Sequence, residues 1–239
     1  MELNTPNYRK DYVGETINTV LDGEPISYFI NPRPNVFIPP YTDTAIILGN
    51  GPTKLYPQIQ QLLDVNRKKI AEAYKLVYAC NRAIQDDAVY DYYVLKHRNF
   101  LARVSEEKLL QSYVPYDIFL DFRARSNLLP FVSHFDSGAS AAYLACFDGH
   151  KKVFLMGFDG KDVFGYRTVY DGSFPYSDNG DLTFDYNCWQ LYLQNVMKIY
   201  KDVEFFRIQL DGAESPASWR SLPNFRDVTV REAVLLGDF

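Results

Sequence analysis

From Thr44 onward, short apolar runs alternate with segments of helical pattern, and this alternation limits the possible folds more than any other feature of the chain. AIILG precedes the polar helical stretch QIQQLLDVNRKKIAEAY, LVYAC precedes RAIQDD, and YYVL precedes RNFLARVSEEKLLQSY. Runs that are apolar throughout bury both of their faces, which happens in a parallel sheet covered by helices. DIFLDF and NLLPFV read as further short strands, and VFLMG at 153–157 as a clear one. Ser137 is placed to cap an amphipathic helix with Ala139, Ala142, Tyr143, Cys146 and Phe147 at i, i+3, i+4, i+7 and i+8. Thr183 is placed to cap another, with Phe184, Cys188, Leu191, Tyr192 and Ile199 on a similar stripe before VEFFRIQL.

The expected fold class is therefore α/β, a Rossmann-like, mostly parallel sheet flanked by helices, preceded by a β-hairpin arm. The arm is read from Asp22-Gly23, which separates the β-rich runs ETINTVL and EPISYFI and is a strong hairpin signal. NPRPNVFIPPYTD follows, and its four prolines forbid a regular element. The chain thus divides into an arm and Pro-rich connector over 1–43 and an α/β domain over 44–239. The arm either covers the core or serves subunit exchange and docking to a partner.

Composition excludes several function classes. A formal net charge of -5 with no long Lys/Arg run gives no footprint for non-specific binding to nucleic acid or an anionic membrane. Cys80, Cys146 and Cys188 lack CxxC or Cys/His spacing, so neither a disulfide framework nor a zinc site is indicated. MELNTPNYRKDY has no apolar core of a signal peptide, and no stretch approaches the ~18 apolar residues of a membrane span. A reducing, cytoplasmic location is expected. Core packing accounts for most of the 19 Tyr and 17 Phe, and some of the rings are expected to line a ligand site or a homo-oligomer interface.

In open α/β sheets ligands bind beyond the carboxyl ends of the strands, so residues just after each strand are the candidates. After the first strand come Gly49-Asn50-Gly51-Pro52-Thr53, where glycines allow close backbone approach and Asn50 and Thr53 supply hydrogen bonds. Asn81 follows the second strand. Lys96, His97 and Arg98 follow the third, a small cationic group suited to an anionic ligand. SHFDSGAS offers His134, and Ser137 and Gly138 at a helix start that suits an anion or a ribose. Asp159 ends VFLMGFDG, where a carboxylate can hold a ribose hydroxyl, a metal or a proton. GYRTVYDGSFPYSDNG, with Tyr166, Tyr170 and Tyr176, is long enough for a lid. Each piece alone also reads as plain structure: GNGPT as a turn, His97 and His134 as structural histidines, the tyrosines as packing.

Together, IILGNGPTK, VYACN and DSGASAAYLACFDGHKKVFLMGFDG resemble the nucleotide-binding core of the bacterial lipooligosaccharide sialyltransferases, over roughly 44–165. A broader family that includes 6-hydroxymethylpterin diphosphokinases is similar too. The resemblance implies that Asn50, Gly51 and Thr53 contact nucleotide phosphate and ribose, Asn81 the nucleotide, and Ser137 with Gly138 the cytidine end of a CMP-sugar. It also implies that Tyr166 and Tyr170 hydrogen-bond the departing phosphate without a metal. The sialyltransferases place a general-base histidine after this loop, whereas here no histidine follows His150. The base then falls to Asp159, Asp162, Asp171 or the upstream His134.

Three functions are expected from these features. The first is a nucleotide-sugar-dependent glycosyltransferase, with a nucleotide sugar and a glycan or other hydroxyl acceptor as partners and no cofactor. The second is an Mg-dependent pyrophosphokinase using Asp159 and Asp162. The third is a non-catalytic relative acting in assembly through its arm.

Overall fold

A computed structural model describes residues 16–21, 24–29, 42–70, 73–101, 104–115, 118, 126–129, 135–159, 188–210 and 212–239. Strands β1 (Thr16–Leu21) and β2 (Glu24–Phe29) pair antiparallel in a sheet of their own, with Leu21 opposite Glu24. This antiparallel pairing agrees with the hairpin expected from the sequence, and Asp22-Gly23 lies outside the described residues.

The main sheet contains β3 (Thr44–Leu48), β4 (Leu76–Cys80), β5 (Tyr92–Val94), β6 (Ser112–Val114), β7 (Asn127–Leu128), β8 (Lys152–Met156), β9 (Glu204–Ile208) and β10 (Phe225–Val228). Among the described residues its eight strands lie in the order β10-β9-β8-β3-β4-β5-β6-β7, and every neighbouring pair is parallel. The fold is Rossmann-like α/β. Strands β3 and β4 are buried at every residue, and alternate side chains feed two separate cores. Ala45, Ile47, Tyr78 and Leu155 join one core with helices α3 (Ser137–Phe147) and α4 (Cys188–Ile199). Ile46, Leu48, Val77 and Met156 join the other with α1 (Pro57–Arg67), placed here through Ile59, Leu62 and Leu63. The sheet is thus the middle of three layers.

Several elements differ from their sequence patterns. The helical pattern at 58–74 ends as a helix at Arg67, because Asn66 pairs with Lys75: its Oδ1 accepts the Lys75 N–H at 2.9 Å and its Nδ2 donates to the Lys75 carbonyl at 2.8 Å. That pairing turns the chain into β4. RAIQDD forms a 3-10 helix, Asn81–Gln85, and the run expected as one helix over 98–113 divides into a 3-10 turn, the short helix α2 (Glu106–Leu110) and β6. Helix α3 is not amphipathic. Every residue but Gly138 is buried, since the sheet and α4 cover it on different sides. Its cap is Asp136 rather than Ser137, and Thr183 lies outside the described residues. Past β9, a short helix α5 (Ala217–Arg220) and β10 precede α6 (Val230–Gly237), which opens with a reciprocal Thr229–Glu232 capping box.

From β3 the chain steps one way to β4 and β5, whereas β8 lies on the other flank of β3 and leads to β9 and β10. The carboxyl ends of β3 and β8 are therefore the topological switch point, where an open α/β sheet leaves a crevice.

Candidate functional site

The loops after β3 and β8 are joined at this switch point by backbone hydrogen bonds, Gly49 N to Met156 O at 2.8 Å and Gly51 N to Gly157 O at 2.9 Å. A Cβ at Gly51 would lie 2.2 Å from Asp159 Oδ2, and one at Gly138 would lie 2.9 Å from the Phe158 ring. Both glycines are therefore required by the 157–159 turn itself, which packs into the space that the sequence reading reserved for a ligand. The turn can bend so sharply because Gly157 has a φ of +71°.

Asp159 is 5% exposed, and both of its oxygens engage Thr53. Oδ2 accepts the Thr53 N–H at 2.9 Å and Oδ1 accepts the Thr53 hydroxyl. The two expected contact groups are thus bonded to each other, and Asp159 pins the turn at 52–55 rather than presenting a free carboxylate. The Phe158 carbonyl is fixed in turn by Arg207 of β9, whose Nε donates to it at 2.7 Å. Arg207 Nη1 donates to Ala213 O at 3.0 Å, Ser215 Oγ at 3.1 Å and Asp227 Oδ1 at 3.2 Å. The buried guanidinium is well partnered, which is the condition for keeping a charge inside. The Phe158 ring then meets Trp189 of α4 at 6.0 Å, and Trp189 meets Trp219 edge-on at 5.5 Å.

On the other side of β3, side chains tie successive strand ends together. Asn50 Nδ2 donates to the Cys80 carbonyl at 3.1 Å, and Asn81, held at a φ of 45°, accepts the Lys96 N–H through Oδ1 at 3.1 Å. Asparagine tolerates this left-handed backbone better than most residues. The Cys80 thiol lies 3.7 Å from the Ser137 carbonyl, which brings the start of α3 against the end of β4. Burial first and the nearby Asp136 second push that thiol well up, so it is not a nucleophile. Lys54 is buried and paired with Asp86 at 2.5 Å, and Lys108 Nζ donates to Ile84 O at 2.9 Å and Asp86 O at 2.5 Å. These two lysines hold the 81–86 turn that carries Asn81. His97, whose ring meets Phe100 edge-on at 5.8 Å, is pushed down by burial and then by Lys96.

Asp136 caps α3, with Oδ1 accepting the Ala139 N–H at 2.8 Å. Burial pushes its carboxyl up to about 6, against the Ala139 and Gly138 amides and Lys96, which pull it down. The helix start is thus already met by a carboxylate, and Asp136 rather than an incoming anion satisfies it. Asp136 Oδ2 and Asn50 Oδ1 are both buried and, among the described residues, have no hydrogen-bond partner. Two acceptors without donors suit a group that brings N–H or O–H, such as a ribose or an amino-bearing base.

The structure therefore brings Gly51, Thr53 and Asp159 into one contact, sets Asn50 and Asn81 on adjacent strand ends, and places Ser137 and Gly138 beside them. His134, Asp162, Tyr166, Tyr170 and Asp171 lie outside the described residues. Asp136, Phe158 and Arg207 were not singled out from sequence. DSGAS carried a signal for Asp136, because an aspartate before a helix caps as well as a serine does. Phe158 and Arg207 carried none. Among the described residues no three metal-ligating side chains gather, and no helix is long and apolar enough to cross a membrane.

No protein-family model and no curated protein matches the chain. Among solved structures, it is similar to the monofunctional alpha-2,3-sialyltransferase Cst-I of Campylobacter jejuni, at 18% identity and a TM-score of 0.46, over 73% of this chain and 79% of that one. It is also similar to the sialyltransferase CstII of Campylobacter jejuni, solved in complex with cytidine-5'-monophosphate, at 16% identity and a TM-score of 0.39, over 76% and 85%. For the CstII complex with CMP-3FNeuAc the identity is 14% and the TM-score 0.32, over 68% and 80%.

Proposed function

We propose that the chain is a nucleotide-sugar-dependent glycosyltransferase that takes a CMP-sugar and passes its sugar to a hydroxyl of a glycan or similar acceptor. The observation that carries this reading is the pair of buried acceptors, Asn50 Oδ1 and Asp136 Oδ2, without a hydrogen-bond partner among the described residues, around the strand ends at the switch point. A nucleoside supplies donors of that kind through its ribose hydroxyls and, for cytosine, an exocyclic amine. Asn81 and Ser137 stand beside them, and Lys96, His97 and Arg98 follow β5, on the side suited to phosphate.

In the reaction, the acceptor hydroxyl gives its proton to a base while its oxygen forms a bond to the anomeric carbon. The bond from that carbon to the phosphate oxygen breaks, and CMP leaves with the electron pair. Tyr166 and Tyr170 are the proposed donors to the leaving phosphate, which makes a metal unnecessary. Asp159 enters as the group that shapes the wall, since Thr53 takes both of its oxygens. His134, Asp162 and Asp171 are then the candidates for the base. Nothing in the described residues favours the Mg-dependent pyrophosphokinase, which would draw on that same Asp159.

Calorimetric titration with CMP, UMP, GMP and ATP, followed by transfer assays with CMP-sugars, tests the reading. CMP should bind best, and Asn50→Ala and Asn81→Ala should each weaken it about tenfold, the loss of one hydrogen bond of about 1.4 kcal/mol. ATP binding that requires Mg²⁺ would point to pyrophosphoryl transfer. Absence of binding by any nucleotide would sink both enzyme readings and leave assembly through the arm.

A further inference from the structure

The two oxygens of Asp136 are in different situations. Oδ1 accepts the Ala139 N–H at 2.8 Å and caps α3, while Oδ2 is closed off from solvent and has no donor among the described residues. An ionised oxygen enclosed in this way costs free energy until a hydrogen reaches it. That hydrogen can be a proton on Oδ2 itself or an N–H or O–H of a ligand. The two exclude each other, because a protonated Oδ2 would set its own hydrogen against the ligand's.

Asn50 Oδ1 is the other buried acceptor without a donor among the described residues. The two residues meet across Cys80, whose carbonyl accepts from Asn50 Nδ2 at 3.1 Å and whose thiol lies 3.7 Å from the Ser137 carbonyl. An amide does not titrate, so of the two acceptors Asp136 alone can change its state with pH.

We propose that, in the nucleotide site of the proposed function, a proton on Asp136 Oδ2 takes the place of the ligand's donor in the free protein, and that nucleotide binding expels this proton to solvent. This inference rests on the nucleotide reading and adds to it a control of affinity by pH. The groups around Asp136 permit the exchange. Burial pushes its carboxyl up to about 6, against the Ala139 and Gly138 amides and Lys96, after β5, which pull it down. Cys80, at the end of β4, stays neutral, since burial pushes its thiol well up. Lys54, which acts on Cys80 from the turn at 52–55, is paired with Asp86. Phe158 brings an uncharged ring against Gly138. His134 lies outside the described residues.

The sign follows from which form takes the ligand. Below about 6 the free protein carries a proton that the complex lacks, so affinity rises with pH up to about 6 and is level above it. Between about pH 7 and about pH 5 the exchange alone should change affinity about tenfold.

Calorimetric titration with CMP at about pH 7 and about pH 5, on the full chain and on Asp136→Asn, isolates this effect. Asparagine still caps the helix and has no proton to lose. The CMP phosphate titrates near about 6 too, but it does so with both proteins and drops out of the ratio of their affinities. The advantage of the parent protein over the variant should shrink about tenfold from the higher pH to the lower. CMP binding by both proteins with an unchanged ratio overturns the proton exchange and leaves the nucleotide reading standing. CMP binding by neither protein at either pH overturns the nucleotide reading and the exchange with it. If Asp136→Asn does not fold or binds CMP too weakly to measure, carbon-13 spectra of the aspartate carboxyls in the parent protein decide. Asp136 should titrate across this range in the free protein and stay ionised with saturating CMP; a carboxyl whose titration CMP leaves unchanged overturns the exchange.

Discussion

The turn at 157–159 and the start of α3 at 136–138 touch each other, Phe158 against Gly138, and each carries one aspartate, Asp159 buried and Asp136 half-buried, yet the two aspartates are used in opposite ways. Asp159 has both oxygens on Thr53. Asp136 has one on the Ala139 amide, and among the described residues the other has no hydrogen-bond partner. A satisfied buried carboxylate is scaffold, because moving it would strand two donors. A half-satisfied one costs the fold free energy and is retained where something outside the fold completes it. The difference sorts the strand-end residues into a wall, built from Gly51, Thr53, Phe158 and Asp159, and a face that meets ligand, built from Asn50, Asn81 and Asp136.

The sharpest way to break the wall is to remove what holds it from behind. Arg207→Met deprives the Phe158 carbonyl of its donor and leaves Asp227 inside without its cation. Breaking a buried pair from one side costs about 4 kcal/mol, and denaturant unfolding should show it. Hydrogen exchange should loosen the peptides over 49–55 and 157–159 while leaving the α3 start protected. A variant as stable as the parent protein would remove Arg207 from the scaffold. Gly51→Ala should follow at about 3 kcal/mol, since its Cβ would press on the Asp159 carboxylate at 2.2 Å and the turn at 52–55 must open to admit it. If Gly51→Ala instead costs under about 0.5 kcal/mol, the turn is loose and the distinction between wall and face fails.

How much of this was legible in the sequence follows from how local each signal is. Strands β3, β4 and β8 show themselves as unbroken apolar runs because both faces are buried, and the loops after them were therefore placed correctly. β10 hides because it is an edge strand with Arg226 exposed in the middle, and β6 hides because Ser112-Tyr113-Val114 continues a helical pattern. The glycines were read as room for a ligand, whereas they make room for Phe158 and Asp159. That distinction was out of reach, because Asp159 meets Thr53 across 106 positions and Arg207 meets Phe158 across 49. The same holds for Lys54, whose partner Asp86 lies in another loop. The amino acid types at strand ends told where a site could be, but not which of them face inward.

Asp136→Asn gives the smallest effect and the most direct reading of the face. Asparagine caps a helix about as well as aspartate, so the loss from capping stays within about 0.5 kcal/mol. What the substitution removes is a carboxyl whose folded value is about 6 against an ordinary value of 3.8. Between those values the folded state binds more protons than the unfolded one, so the parent protein loses stability as pH rises through that window. The loss is complete above about 6 and absent below about 3.8. The variant should therefore match the parent protein in acid and equal or exceed its stability near neutrality, as pH-dependent denaturation would show. Its affinity for CMP should nevertheless fall, because a carboxylate that accepts two donors becomes an amide that accepts fewer. A variant that loses stability at neutral pH and binds CMP unchanged would mean that Asp136 belongs to the wall with Asp159, and the contrast between the two aspartates would be gone.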